Sequence, residues 1–395
     1  MIINKIGVLS SSPFPIGCAS VVRIFAYCKG LVSNNVNCEI VVFKPHVKGS
    51  SIPIKGNIDG VKFQYAHQRD SSRSILYKNF IDRPISLLKS IQLITRLNRI
   101  QSFDYLLLSF DALKYLYFFV PILRWCGYKL IFIGDEYPPD IRDKGKDKIT
   151  GISKILYKFI FKFIKARILI NENLKTYFNE IAGCKTTHIL PSIVDVERFT
   201  INSNQSFPKI KYLCYVGGMD LSNDNVDLII EAFNDIHKQY PFLYLYLYGA
   251  PKDTDKQILQ KIIDKYQLHD RVLFKGKVAF EDVPKVLMNA YVLVTSQSKS
   301  KRAEGGLPTK LGEYLMSGIP SLVSDVSVIS QFLKDGEHLF IVTPDNKKLY
   351  VEKLQYILNN YPLALEVAMK GKCFFMKNFN CSKVAYDLKL FLESL

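Results

Sequence analysis

Along this chain, short apolar runs alternate with stretches whose apolar positions recur at helical spacing. In the first half the runs are IGVLS (6–10), EIVVF (39–43), VKFQYA (61–66), YLLLSF (105–110), KLIFIG (129–134), ARILIN (166–171) and HILPS (188–192), with a helix expected from about Ser20 to Val32. Runs that are apolar throughout suit strands covered on both faces, so the alternation predicts a parallel sheet packed between helices. The pattern restarts at Lys211 with KYLCYVG, LYLYLYG (243–249), RVLFKG (271–276), AYVLVTS (290–296), IPSLVSD (319–325) and LFIVT (339–343). Helices are expected near Val226 to Tyr240, Lys256 to Tyr266 and Pro308 to Ser317. The fold class is therefore α/β: two domains in sequence, each a parallel sheet, joined near PSIVDVERF (191–199) and facing each other across a cleft.

A length of 395 residues also favours two cores over one. The boundaries expected are 1–195 for a first domain, 196–370 for a second, and 371–395 for a closing helix that returns towards the first. Against 36 acidic residues stand 53 Lys and Arg, a net charge of +17 that implies a polyanionic neighbour: nucleic acid, an anionic membrane or phosphorylated ligands. Nucleic acid is disfavoured because no helix-turn-helix, aromatic RNP-type strand or zinc module accompanies the charge. The eight cysteines are scattered and form no C-x-x-C, which points to free thiols in a reducing compartment. MIINKIGVLSSS reads as a first strand rather than a signal peptide, and no run approaches the ~18 apolar residues of a membrane span. The expected location is cytoplasmic, with any membrane contact peripheral. None of the six histidines has ligand spacing and no D-x-D is tied to a strand end, so no metal is expected.

Several segments, in order, carry a resemblance. YVGGMDLSNDNVDLIIEAF, LYLYGAP, LHDRVLFKGKV and PTKLGEYLMSGIPSLVSD in the second half resemble retaining glycosyltransferases of the GT-B fold, family 4 in particular. FPIGCASVVRIFAYCKGL (14–31), IFIGDEYP (131–138), INENLKTYF (170–178) and PSIVDVERF are similar to that family more faintly. The resemblance implies two Rossmann-like domains, a nucleoside-diphosphate sugar donor, metal independence, and transfer with retention to a hydroxyl of a lipid-linked or polysaccharide acceptor. Two alternatives stay open: a catalytically inactive partner subunit of the same fold, or a nucleotide-sugar epimerase.

By motif position Glu313 is the family's helix glutamate, which accepts hydrogen bonds from the ribose hydroxyls; a carboxylate offers only acceptors to two vicinal donors. A second acid, with seven residues between it and the first in the family, holds the donor sugar. Here Glu304 and Glu313 have eight residues between them, so the strict position falls on Gly305, and Glu304 reaches the place only through a looped Gly305-Gly306. That turn, with Leu311 on the following helix, suits backbone N–H groups facing a diphosphate. The family's phosphate-binding arginine and lysine are missing: Gly218 follows Gly217 at the arginine position, and Ser222 to Asn225 hold no cation. Lys310 is the leading substitute, with Lys299, Lys301 and Arg302 as others, and Arg23, beyond Gly17 on the first helix, as a further donor-side cation. Asp135 and Glu136, at a strand's carboxyl end, are the acids suited to orient or deprotonate an acceptor hydroxyl.

The excess charge has two further concentrations. In GISKILYKFIFKFIKARILI, Lys154, Lys158, Lys162 and Lys165 recur at helical spacing among Ile155, Phe159 and Phe163. A basic, aromatic, amphipathic helix suits an anionic bilayer surface, where each lysine adds about 1 kcal/mol. The stretch Arg69 to Arg99 is basic in the same way, with Arg73, Lys78, Arg83, Lys89, Arg96 and Arg99.

Overall fold

The computed structural model describes every residue except 1, 16–18, 51, 73, 75–76, 111, 143–148, 192, 200–209, 306–308 and 327–328. Its contacts divide the chain into two units, Met1–Val194 with Cys381–Leu395, and Asp195–Asn380.

The first unit is built on an eight-stranded sheet in the order Thr187–Ile189, Ala166–Leu169, Leu130–Gly134, Tyr105–Ser109, Lys5–Ser10, Asn37–Val42, Val61–Tyr65 and Lys55–Ile58. All neighbours are parallel except the last pair, an antiparallel hairpin at the edge. Lys5–Ser10, Tyr105–Ser109 and Leu130–Gly134 are buried at every position, as continuous apolar runs require. The core on one side joins Val8, Ile40 and Ile131 to Val21, Ile24 and Leu31 of the helix Ala19–Ser33. Val384, Ala385, Leu388 and Leu392 of the helix Cys381–Ser394 complete it.

The second unit is a six-stranded parallel sheet in the order Val272–Gly276, Leu243–Tyr248, Lys211–Val216, Val292–Val294, Ser321–Ser324 and Phe340–Val342. LYLYLY alternates: its leucines are fully buried against the helix Val226–Ile236, while Tyr246 stacks on Tyr212 of the next strand, ring centroids 4.4 Å apart. The chain passes back to the first unit at Cys381 rather than at 371, because the helix Tyr361–Phe379 packs against the second sheet's own elements. Within that helix, Gly371 abuts the His338 carbonyl so closely that a side chain has no room.

Small secondary elements differ from the sequence pattern. Lys55–Ile58 and the two-residue pair His46–Val47 with Gln68–Arg69 carry no apolar periodicity to reveal them. Lys301–Gly305 is a short helix that no apolar periodicity announces. The seven described cysteines are free thiols. Among the described residues no helix is long and apolar enough to cross a membrane, and no group of His, Cys, Asp or Glu is placed to hold a metal.

The return of the closing helix depends on Gly30. A Cβ there would collide with the Cys381 carbonyl and with the Ala385 side chain. Overpacking of this kind typically costs about 1–3 kcal/mol. Gly30→Ala is therefore expected to lower the unfolding free energy by that amount, read from urea unfolding followed by circular dichroism.

Candidate active site

The second sheet changes direction at Lys211–Val216, flanked by Leu243–Tyr248 on one side and Val292–Val294 on the other. Connections leave such a point on opposite faces and open a crevice outside the carboxyl ends of the strands, where open α/β sheets bind ligands. The segments after those strands, at Gly217 and at Thr295, stand there. The helix Thr309–Ser317 is fastened across them by Tyr314, whose hydroxyl accepts from the Val216 N–H (3.3 Å) and meets the Val294 carbonyl at 3.3 Å. Tyr314 is fully buried, and burial pushes its hydroxyl well above the ordinary value, so it stays protonated.

Lys310 on this helix reaches back to the strand end. Its ammonium lies 3.0 Å from Asp224 Oδ1 and 4.7 Å from the centre of the Tyr215 ring. Asp224 Oδ2 accepts from the Tyr215 hydroxyl at 2.8 Å, and the Met219 N–H points to the same hydroxyl at 3.3 Å. Burial first, and Asp224 next, hold the Tyr215 hydroxyl well above its usual range, which keeps it a donor. Gly217 makes the arrangement possible: a Cβ there would stand 3.2 Å from the Lys310 nitrogen and collide with the Tyr215 hydroxyl. Beside Gly218 there is open space.

Glu313 lies one turn along the helix from Lys310. Its Oε1 accepts from Arg198 at 2.7 Å, and Arg198 also donates to the Phe280 carbonyl (2.6 Å) with its guanidinium 3.6 Å from the Phe280 ring centre. Burial raises the Glu313 pKa, and Arg198 pulls against that without cancelling it. No described donor meets Oε2. Leu311, between the two charged residues, is buried and helps seat the helix.

Glu304 is half exposed and pairs with Lys301 at 2.7 Å within the helix Lys301–Gly305. Gly305 closes that helix, whereas Gly306, like Gly17, lies outside the described residues. Lys299 is exposed, and the Arg302 side chain is not among those described.

In the first unit, the buried Arg23 pairs with the partly buried Asp135, Nη2 to Oδ2 at 2.6 Å. Burial raises the Asp135 pKa against the opposing pull of Arg23; for Arg23, burial lowers it, and Asp135 together with Tyr27 and Glu136 more than restores it, so the net direction is up. Glu136 is held by Arg142, also at 2.6 Å. The structure thus brings Gly217, Lys310 and Glu313 to one strand-end region, and couples Arg23 to Asp135 in the other unit. Sequence reasoning passed over Asp224, Tyr215, Tyr314 and Arg198. Arg198 sits inside the quoted PSIVDVERF, and the SNDN segment was read only for missing cations, not for the carboxylate that would hold one.

Comparison with known proteins adds to this geometry. Residues 196–372 match the family model described as glycosyl transferases group 1. Mannosylfructose-phosphate synthase from Agrobacterium fabrum (strain C58 / ATCC 33970) is 26% identical over 177 residues, covering 42% of this chain and 38% of that protein. The match therefore spans about two fifths of the length of that curated relative. Among solved structures, sucrose-phosphate synthase from Thermosynechococcus elongatus superposes with a TM-score of 0.76 at 13% identity, over 99% of this chain and 98% of that one. HepE from Anabaena, in complex with UDP and glucose, does so at 0.72 and 11% identity, over 99% and 100%. Both likenesses are of fold.

Removing one member of a buried pair strands the other charge, which costs about 3–5 kcal/mol. Asp135→Ala is expected to destabilise the protein by that much, and Arg23→Met in the same background to recover most of the loss. Urea unfolding of the two variants beside the parent reads both effects.

Proposed function

We propose that this chain, which carries a glycosyl transferases group 1 domain within a GT-B fold, moves a sugar from a nucleoside-diphosphate donor to an acceptor hydroxyl. One observation carries the reading: a lysine and a glutamate stand one turn apart on a helix pinned across the switch point of the matching domain, and no described donor meets the glutamate's Oε2. Lys310 supplies the counter-charge to the departing diphosphate, a contribution worth several kcal/mol where water is excluded. Asp224 and Tyr215 hold that ammonium at the strand end before the ligand arrives. Glu313 Oε2 accepts from the ribose hydroxyls while Arg198 fixes the carboxylate plane. The UDP and glucose in the HepE complex support a nucleotide sugar as the donor class. No metal enters the scheme.

On the acceptor side, Asp135 orients the incoming hydroxyl from the end of its strand, and transfer proceeds with retention of configuration. The acceptor is lipid-linked or a surface glycan, and the protein works at an anionic membrane face. The helix Gly151–Phe161 supports this location, because Ile152, Ile155 and Phe159 are 75%, 68% and 52% exposed beside the exposed Lys154, Lys158 and Lys162. Apolar groups of that size standing in water among lysines match an interfacial helix better than one whose apolar face is wholly spent on the core.

A second reading, a binding subunit without turnover, draws on the ion pairing of every acid nominated for chemistry: Asp135 with Arg23, Glu136 with Arg142 and Glu304 with Lys301. Release of UDP from UDP-glucose separates the two readings, since only an enzyme turns the donor over. Calorimetry with UDP tests the donor site itself. Glu313→Ala is expected to weaken UDP about tenfold, the loss of a charge-assisted bond. Ribose hydroxyls donate to the ionised carboxylate, and Glu313 has a raised pKa. Affinity should therefore climb as the pH rises from the ordinary carboxylate value through the raised one, and Glu313→Ala should flatten that climb. An unaltered affinity in the variant would remove Glu313 from the site. Reversing Lys154, Lys158, Lys162 and Lys165 to Glu should abolish co-sedimentation with phosphatidylserine vesicles; unchanged sedimentation would end the membrane proposal.

A further inference from the structure

A cavity of about 130 Å³ in the first unit is lined by Phe43, Lys44, Pro45, Arg69, Arg83, Leu87 and Tyr115. Four separate pieces of chain converge to make it. Phe43 to Pro45 follow the strand Asn37–Val42 at its carboxyl end, beside the sheet's own switch point at Lys5–Ser10. Arg69 is set by the short pairing of Gln68–Arg69 with His46–Val47, reinforced by the Lys48 N–H on the Arg69 carbonyl at 2.9 Å. Arg83 and Leu87 come from the helix Arg83–Ile100, which is anchored to the strand end by the fully buried Ser86, its hydroxyl donating to the Phe43 carbonyl at 2.5 Å. Tyr115 stands on the helix Leu113–Trp125 and packs edge-on against Phe43, ring centroids 4.9 Å apart.

Three of the seven described lining residues are permanent cations, and no carboxylate is among the seven. The acids nearby in sequence are engaged elsewhere: Asp70 with Lys48 at 3.1 Å, and the buried Asp82 with His67 at 3.5 Å. Among the described residues, Lys44, Arg69 and Arg83 make no ion pair, and the Arg69 Nε is buried without a hydrogen-bond partner. A buried guanidinium donor left open is costly unless a ligand completes it. Arginine forks match the oxygens of a phosphate, and an aromatic and aliphatic wall beside them suits the carbon skeleton that the phosphate is attached to. At roughly 30 Å³ per liquid water, the volume holds about four waters, which is the scale of one phosphoryl group.

We propose that this cavity binds a phosphate ester, with Lys44, Arg69 and Arg83 gripping the phosphoryl oxygens and Phe43 and Tyr115 flanking the attached carbons. Calling that ester the sugar acceptor rests on the glycosyltransferase reading; the binding itself does not. Two sources share the chemistry, a soluble sugar phosphate and a lipid phosphate. The helix offers something to each: cations at Arg83, and exposed apolar side chains at Ile85 and Leu88.

The test uses the full chain and the triple variant Lys44→Gln, Arg69→Gln, Arg83→Gln, with UDP calorimetry on both as a control for folding and for the donor site. Glucose 6-phosphate, glucose and inorganic phosphate are titrated, and phosphatidylcholine vesicles with and without phosphatidic acid are co-sedimented. The parent is expected to bind one phosphate-bearing probe at least about tenfold more tightly than its phosphate-free counterpart, and the variant to lose that margin. Selectivity for glucose 6-phosphate identifies a soluble ester, and selectivity for phosphatidic acid a lipid one. The inference is overturned if no phosphate-bearing probe is preferred, or if the preference survives in the variant. Because UDP binding is read separately, a lost donor site and a failed phosphate site give different results.

Discussion

One buried hydroxyl ties the helix Thr309–Ser317 to two strands at once. Tyr314 bridges Val216 and Val294, the ends of the two neighbouring strands between which the second sheet reverses its winding. With that position fixed, Lys310 and Glu313 point from the same helical face and need no loop to place them. Sites carried on rigid elements hold their geometry more closely than sites on loops. The packing of Leu311, Leu315 and Met316, all buried, resists rotation of the helix that would swing both charges away.

Every charged side chain in that region has an oriented partner, and the partners differ in kind. Arg198 holds Glu313 from a second element while its own guanidinium is satisfied by the Phe280 carbonyl and ring. Asp224 holds Lys310 and is itself held by Tyr215. Such couples contribute little net stability, because the desolvation of two charges offsets their attraction. Their use is positional, and each leaves one face available: Oε2 of Glu313, and the donors of Lys310 that Asp224 does not occupy.

The strands were legible in the chain because a covered parallel strand leaves an apolar run that survives any reading frame. IGVLS falls within Lys5–Ser10, and KYLCYVG contains Lys211–Val216. The KGNI edge strand escaped notice for the opposite reason: it is mostly exposed, paired only on one side, and has no apolar face to declare. In the site, Lys310 and Glu313 were legible from PTKLGE, a local pattern. Their partners were not, since Asp224 is 86 positions from Lys310 and Arg198 is 115 from Glu313. Pairings at that separation are products of the fold, and nothing in the neighbouring residues encodes them. The lack of a cation at Gly218 was visible, whereas the pairing of Lys310 with Asp224 near that strand end is a three-dimensional fact.

In the transfer proposed above, Lys310 stands in for the cation absent at Gly218, and that changes how a diphosphate would be received. An arginine in place of Gly218 would stand in open space and present its whole charge to the ligand. Lys310 arrives already neutralised by Asp224, so a diphosphate must compete with a carboxylate for it. The competition favours the ligand, because a diphosphate carries more charge than one carboxylate and Lys310 has three donors to distribute. Asp224 is not stranded by the exchange: its other oxygen keeps the Tyr215 hydroxyl, whose raised pKa ensures a proton to give. On that proposal, most of the binding gain would be realised as negative charge builds on the leaving group, when the demand on Lys310 is greatest. An interaction that strengthens during bond breaking, rather than at first contact, is the kind that accelerates transfer.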